Sequence, residues 1–166
     1  MSNSSPRDAV IIGGSRTPFG RLLGSLAGQS AIELGAHAIR GAMTDAGIGP
    51  EAVDTVVMGQ VIQAGAGQNP GRQAALHAGI GRDVHGITIN KVCLSGLNAI
   101  ATADQMIRAG ECEIVVAGGM ESMSQAPHLL PGSRKGFTYG DTALVDSMAH
   151  DALFDVRMTL ALIQPT

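Results

Sequence analysis

Four short apolar runs bordered by glycine alternate along this chain with three segments of helical periodicity. The runs are Ala9–Gly14 (AVIIGG), Asp54–Gly59 (DTVVMG), Gly86–Asn90 (GITIN) and Cys112–Gly118 (CEIVVAG). Each is too short for a helix of ordinary length and carries three β-branched residues, so all four are expected to be buried strands. Between them lie Ser30–Ala46, Pro70–His77 and Ser95–Arg108. The first opens on Ser30 and Glu33, an S-x-x-E capping box, and carries Ile32, Ile39, Met43 and Ala46 at helical spacing. Gly47, Gly49 and Pro50 supply its stop. The second starts at Pro70, whose missing N–H costs nothing in a first turn. In the third, Leu97, Ile100, Ala101, Met106 and Ile107 give the apolar surface, and Gly110 ends it. Strand, helix, strand, helix, strand, helix, strand implies an α/β layered fold with a mainly parallel sheet and right-handed crossovers.

The same pattern divides the chain. Residues 1–8 are polar and expected to be loose. Residues 9–120 form the α/β core. Residues 121–156, with the prolines and glycines of SMSQAPHLLPGSRKGFTYGD, depart from the sheet as a loop excursion, and one more helix is expected within Asp141–Phe154. Residues 157–166 are a tail of different character.

Composition excludes several classes of function. Glycine supplies 23 of 166 residues, about twice the ordinary share of ~7%, which points to tight turns and close backbone approaches. Net charge is −3 with no basic block, and there are only three Phe, one Tyr and no Trp. Nucleic-acid binding thus has neither an electrostatic footprint nor a stacking platform. The opening MSNSSPRDAV is unlike a signal peptide, and no run approaches the ~20 apolar residues of a membrane span. Cys93 and Cys112 make neither a disulfide framework nor a zinc site, so a reducing, cytoplasmic setting is expected.

Cys93 is the candidate nucleophile. It sits where the run Gly86–Asn90 turns into the third helix. Helix N-terminal N–H groups and the helix dipole favour a thiolate there, and the same groups can hold an oxyanion. A strand-to-helix elbow bearing a nucleophile recurs in unrelated acyl-transfer enzymes. The competing reading is a small buried hydrophobe, a common state of free cysteine.

Asn90–Leu97 (NKVCLSGL) resembles the nucleophile motif of thiolases. Three further segments resemble the same family in the same order: Val10–Ile12 with Arg16–Gly20 (RTPFG), Gly67–Ala74 (GQNPGRQA), and Gly118–Ser124 (GGMESMS) with Ala126-Pro127-His128. The resemblance runs from about residue 8 to 156. It implies a thiolase-like fold, incomplete and limited to the N-terminal half, and a two-step acyl transfer. Cys93 takes the acyl group from an acyl-CoA and releases CoA. The acyl-cysteine then condenses with acetyl-CoA or, in reverse, CoA thiolyses a 3-ketoacyl-CoA. The resemblance implies acyl-CoA and CoA as partners and no metal or redox cofactor. It also implies a homo-oligomer, dimer or tetramer, with Ser124–Gly140 where tetrameric members carry an assembly loop.

The family also uses a histidine in a Gly-His-Pro context and a second cysteine in a glycine-rich segment. Neither segment occurs in this sequence, and Cys112 lies in no glycine motif. The alternative to an enzyme is therefore a truncated, catalytically incomplete fragment with a binding or assembly role. Two further rivals fit less well. A nucleotide-binding domain lacks support, because Gly13–Pro18 is not G-x-G-x-x-G and no G-K-[ST] follows a glycine loop. A condensing enzyme charged by acyl-carrier protein is disfavoured by Glu121–Ser124. His37 is expected to be structural, His77 and His85 to flank a loop, His128 to pack in a loop, and Glu121 to cap or pair locally at the end of its strand.

Overall fold

The computed structural model describes residues 8–155. Its core is a three-stranded parallel sheet of β1 (Thr55–Gly59), β2 (His85–Ile89) and β3 (Val115–Gly119), in the order β2-β1-β3. Thr55 lies opposite His85 on one side and Val115 on the other. β1 is central and buried at all five positions, with Val56 and Val57 wholly inaccessible. Such an apolar run suits a strand with a neighbour on each edge and a layer on each face.

Side chains alternate across a strand, so Val56 and Met58 share one face. They join one core cluster with Ile32, Ala36, Ile39 and Met43 of α1 (Ala31–Ala46) and with Ala74 and Ala75 of α2 (Pro70–His77). The opposite face belongs to α3 (Ser95–Ala109), which packs on β1 and β3. Burying Ile39 to 2% exposure stabilises the first layer by roughly 1.5–3 kcal/mol.

The expected helices form where the sequence places them. Ser30 Oγ accepts from the Glu33 N–H at 3.2 Å, and Glu33 Oε2 accepts from the Ser30 N–H at 2.8 Å. The Ser30 N–H, and then the Ser30 hydroxyl, hold the Glu33 carboxyl below its ordinary range. Gly47, at φ 67°, closes α1 in the left-handed conformation. α2 is lashed to β2 by its cap residue. Asn69 donates through Nδ2 to the Gly86 carbonyl (2.7 Å) and accepts at Oδ1 from Thr88 Oγ1 (2.7 Å).

Two expectations need correction, and a third, the helix within Asp141–Phe154, is met only in short form. Ala9–Gly14 is not a strand. It has no ladder partner among the described residues, and Val10 and Ile11 are 75% and 85% exposed. The run is instead tied to the end of α1, with the Gly14 N–H on Asp45 Oδ2 at 2.9 Å. β-Branched composition fits a pleated surface but does not supply one. The last strand starts at Val115 rather than Cys112, because the Glu113 and Ile114 N–H groups are taken by Asp54 Oδ2 (2.8 and 2.9 Å) instead of a ladder. These two bonds, Ile114 foremost, hold the Asp54 carboxyl below its ordinary range. Asp141–Phe154 holds a single wide helical turn, Ala149–Leu153, preceded by β5 (Val145–Asp146) antiparallel to β4 (His128–Leu129). Wholly buried Ser147 donates through Oγ (2.6 Å) and N–H (3.2 Å) to the Pro127 carbonyl, which fixes this segment to the excursion before a helix can extend.

Among the described residues no helix is long and apolar enough to cross a membrane. The expected loose N-terminus lies outside the described residues except for Asp8, and the tail 157–166 lies wholly outside them.

Removing the α1 cap tests this account of the first layer. Ser30→Ala is expected to lower stability by about 1 kcal/mol in urea unfolding, without changing the m-value.

Candidate active site

β1 and β3 both end in glycine, and α3 begins against those two ends. An added Cβ on Gly59 would lie 2.5 Å from the Ser95 carbonyl carbon and 2.7 Å from the Gly96 nitrogen. One on Gly119 would lie 3.2 Å from the Gly96 Cα. Only residues without a Cβ let the helix seat so closely on the strand termini. Cys93 stands two residues before that first helical turn, exposed, at the mouth of a cleft of about 640 Å³.

The turn that carries Cys93 is strained. Val92 has φ 50°, a left-handed conformation that a β-branched residue adopts at a cost of roughly 1–3 kcal/mol. Side-chain bonds hold it. Asn90 Oδ1 accepts from the Val92 N–H at 2.9 Å, and buried Ser95 donates through Oγ to the Val92 carbonyl at 2.6 Å. The same Ser95 Oγ accepts from the Lys91 N–H at 2.8 Å. The Ser95 N–H also bonds the Val92 carbonyl (3.0 Å), whereas the Gly96 and Leu97 N–H groups meet no acceptor among the described residues. They are the free donors expected at a helix start.

Three of the four motif segments converge on this cleft. Arg16–Gly20 lines one side, Val92, Cys93, Ser95 and Gly96 another, and Gly119–Ser124 a third. The fourth, Gly67–Ala74, does not reach it. Its residues build the α2 cap, where Gln73 Nε2 donates to the Ala66 and Gln68 carbonyls at 3.0 and 2.7 Å. The 21–29 loop is hung over the cleft by side-chain bonds. Ser124 Oγ accepts from the Leu23 N–H at 2.9 Å, Ser122 Oγ donates to the Gln29 carbonyl at 2.8 Å, and Gln125 donates to the Ala27 carbonyl.

None of the five histidines lines the cleft with Cys93. His37 meets Arg40 at 3.0 Å on the exposed side of α1, His77 ends α2, His85 starts β2 and His128 lies on β4. Cys112 is buried ahead of β3 and does not line the cleft either.

Glu121 does more than the local capping expected of it. Half-buried in the cleft wall, it accepts at Oε2 from the Val61 and Ile62 N–H groups, at 2.9 and 3.2 Å, some sixty residues away in sequence. Its Oε1 is buried with no partner among the described residues, as is Oε1 of neighbouring Gln60, a residue only 2% exposed. Burial pushes the Glu121 carboxyl above its ordinary range, and the N–H bonds from Val61 and Ile62 act against that. Only its place just after a glycine-ended strand hinted at this role in the sequence.

The family model for the thiolase N-terminal domain matches residues 9–162. The chain belongs to the thiolase family. A probable acetyl-CoA acetyltransferase of Mycobacterium tuberculosis is 60% identical over 148 residues, which is 89% of this chain and 38% of that protein. An acetyl-CoA acetyltransferase of Cupriavidus necator is 56% identical over 149 residues, covering 90% of this chain and 38% of the relative. Among solved structures, the Acat5 thiolase of Ascaris suum in complex with coenzyme A superposes with a TM-score of 0.89 at 34% identity. That match covers 94% of this chain and 40% of the Ascaris chain. This thiolase chain therefore has the family's layered α/β fold and spans about two fifths of the length of its relatives.

Two outcomes follow from this geometry. Gly59→Ala is expected to cost roughly 1–3 kcal/mol by forcing α3 off the strand ends, measurable as a lower midpoint in urea. Glu121→Gln removes a carboxyl whose range lies above the ordinary 4.5. A raised folded value favours the protonated form, so wild-type stability falls as pH rises through the window above 4.5. The variant is expected to keep its stability across that window, so that its advantage over wild type grows with pH and then levels off, as read from urea midpoints at a series of pH values.

Proposed function

We propose that this chain carries the acyl-accepting half of an acetyl-CoA acetyltransferase, with Cys93 as the residue that is acylated. The observation that carries this reading is the seat of Cys93: an exposed sulfur at the start of α3, ahead of the free Gly96 and Leu97 N–H groups, at the mouth of a cleft walled by three family motifs.

The Cys93 sulfur attacks the thioester carbonyl carbon of an acyl-CoA. A C–S bond forms, and the carbonyl electron pair moves onto oxygen, where helix N-terminal N–H groups favour the negative charge. Collapse of that adduct breaks the bond to the CoA sulfur, and CoA leaves as the thiolate that takes up the proton given by the cysteine. The acyl-cysteine is then the donor for the α-carbon of acetyl-CoA, giving a 3-ketoacyl-CoA, or forms in the reverse direction by thiolysis. This chemistry uses acyl-CoA and CoA as substrates and calls for no metal or redox cofactor. A place in fatty acid metabolism, a cytoplasmic setting and a homo-oligomeric assembly belong to the same proposal.

One observation favours a second reading. The condensing step needs a base for the α-carbon and an activator for the cysteine, and no histidine or second cysteine faces Cys93 in the cleft. On that reading the chain is a catalytically incomplete thiolase fragment with a binding or assembly role.

Intact-protein mass after brief incubation with acetyl-CoA separates the two. Wild type is expected to gain one acetyl group and Cys93→Ser none. A folded wild-type chain that gains nothing leaves the non-catalytic reading in place.

A further inference from the structure

We propose that Glu121 is a positioning residue for Cys93 and acts on it through Val61 and Asn90. The proposal rests on Cys93 being the nucleophile and names what holds it in place.

The path is short and continuous. Glu121 stands just past the end of β3, and its Oε2 accepts from the Val61 N–H at 2.9 Å and the Ile62 N–H at 3.2 Å. These two bonds fix the chain as it leaves β1. Oriented in this way, the Val61 carbonyl accepts from Asn90 Nδ2 at 3.3 Å. The other end of the same amide, Asn90 Oδ1, accepts from the Val92 N–H at 2.9 Å. Val92 is the residue at φ 50°, and Cys93 follows it directly. The carboxylate at the end of one strand thus steers the backbone at the exit of the next. That backbone steers the amide that holds a left-handed valine beside the nucleophile.

The arrangement needs support because the valine's conformation is costly. A β-branched residue stays left-handed only where its surroundings over-determine it. Ser95 clamps Val92 from the carbonyl side. Asn90 clamps it from the N–H side, but Asn90 is itself exposed and can swing unless its Nδ2 is held. The acceptor that holds it is the Val61 carbonyl. Glu121 is the only side chain among the described residues that accepts from the Val61 and Ile62 N–H groups. Its carboxylate length matters more than its charge, since what it supplies is an acceptor at a set distance.

The test is the second-order rate of iodoacetamide alkylation of Cys93 in the full chain, followed by mass spectrometry, with Cys93→Ser giving the background from buried Cys112. Wild-type Cys93 is expected to react faster than a free cysteine. Glu121→Asp keeps the charge but withdraws the acceptor by one methylene, and is expected to slow the reaction about tenfold, the factor that ~1.4 kcal/mol of lost restraint corresponds to. Glu121→Gln keeps an acceptor of the same reach and is expected to stay near the wild-type rate. Asn90→Ala is expected to slow alkylation to a similar degree, and Glu121→Asp is expected to add nothing in that background, since both changes cut one path. Three results overturn the proposal: wild-type reactivity in Glu121→Asp, a Glu121→Gln chain as slow as Glu121→Asp, or losses that multiply in the double variant. A wild-type Cys93 no faster than a free cysteine overturns the nucleophile reading itself, and this proposal with it.

Discussion

The seat of α3 on the C-terminal ends of β1 and β3 is the contact on which the site depends. Three glycines make it possible: Gly59 and Gly119 at the strand ends and Gly96 in the helix's first turn. With no Cβ between them, the helix N-terminus reaches the sheet rim, where Gly96 lines the cleft. Cys93 owes its place to this approach, and so does the turn that bends before it. The core layer of α1 and α2 lies on the other face of the sheet, and α1 reaches the cleft wall through Leu34 and Ala38.

This division separates stability from reactivity. Ile39, Met43, Val56 and Met58 give the fold a dry layer with no polar demands. The cleft side holds the polar work: a left-handed valine, an asparagine that bridges two backbones, a half-buried glutamate and a buried glutamine with an orphaned oxygen. Buried polar groups of this kind cost free energy unless paired, and they gather where geometry matters more than packing. The sheet absorbs that cost because its central strand is buried at every position.

Much of this was legible beforehand, because local rules and tertiary structure agree over most of the chain. The α1 capping box, the Pro70 start of α2 and the Gly110 stop of α3 are decided within a few residues, and each stands where its signal lies. The turn that places Cys93 just ahead of α3 stands where the sequence put it. Ala9–Gly14 was misread because its partner, not its composition, decides whether a run becomes a strand. The late start of β3 escaped because Asp54, on another element, takes the N–H groups that a ladder needs. Glu121 was underestimated for a related reason. A carboxylate that caps a backbone sixty residues away has no local spacing by which to be found.

The loop that walls the cleft is held differently from everything beneath it. Ser122, Ser124 and Gln125 attach the 21–29 segment by three side-chain bonds, with no ladder and no helix of its own. Each such bond contributes about 1 kcal/mol net. The sheet below is held by a whole apolar layer. A wall so attached can detach and re-form while the core stays folded, at a small fraction of the free energy of global unfolding. Opening of that wall is therefore a local equilibrium distinct from the stability of the fold. Amide exchange in that loop runs on a clock of its own.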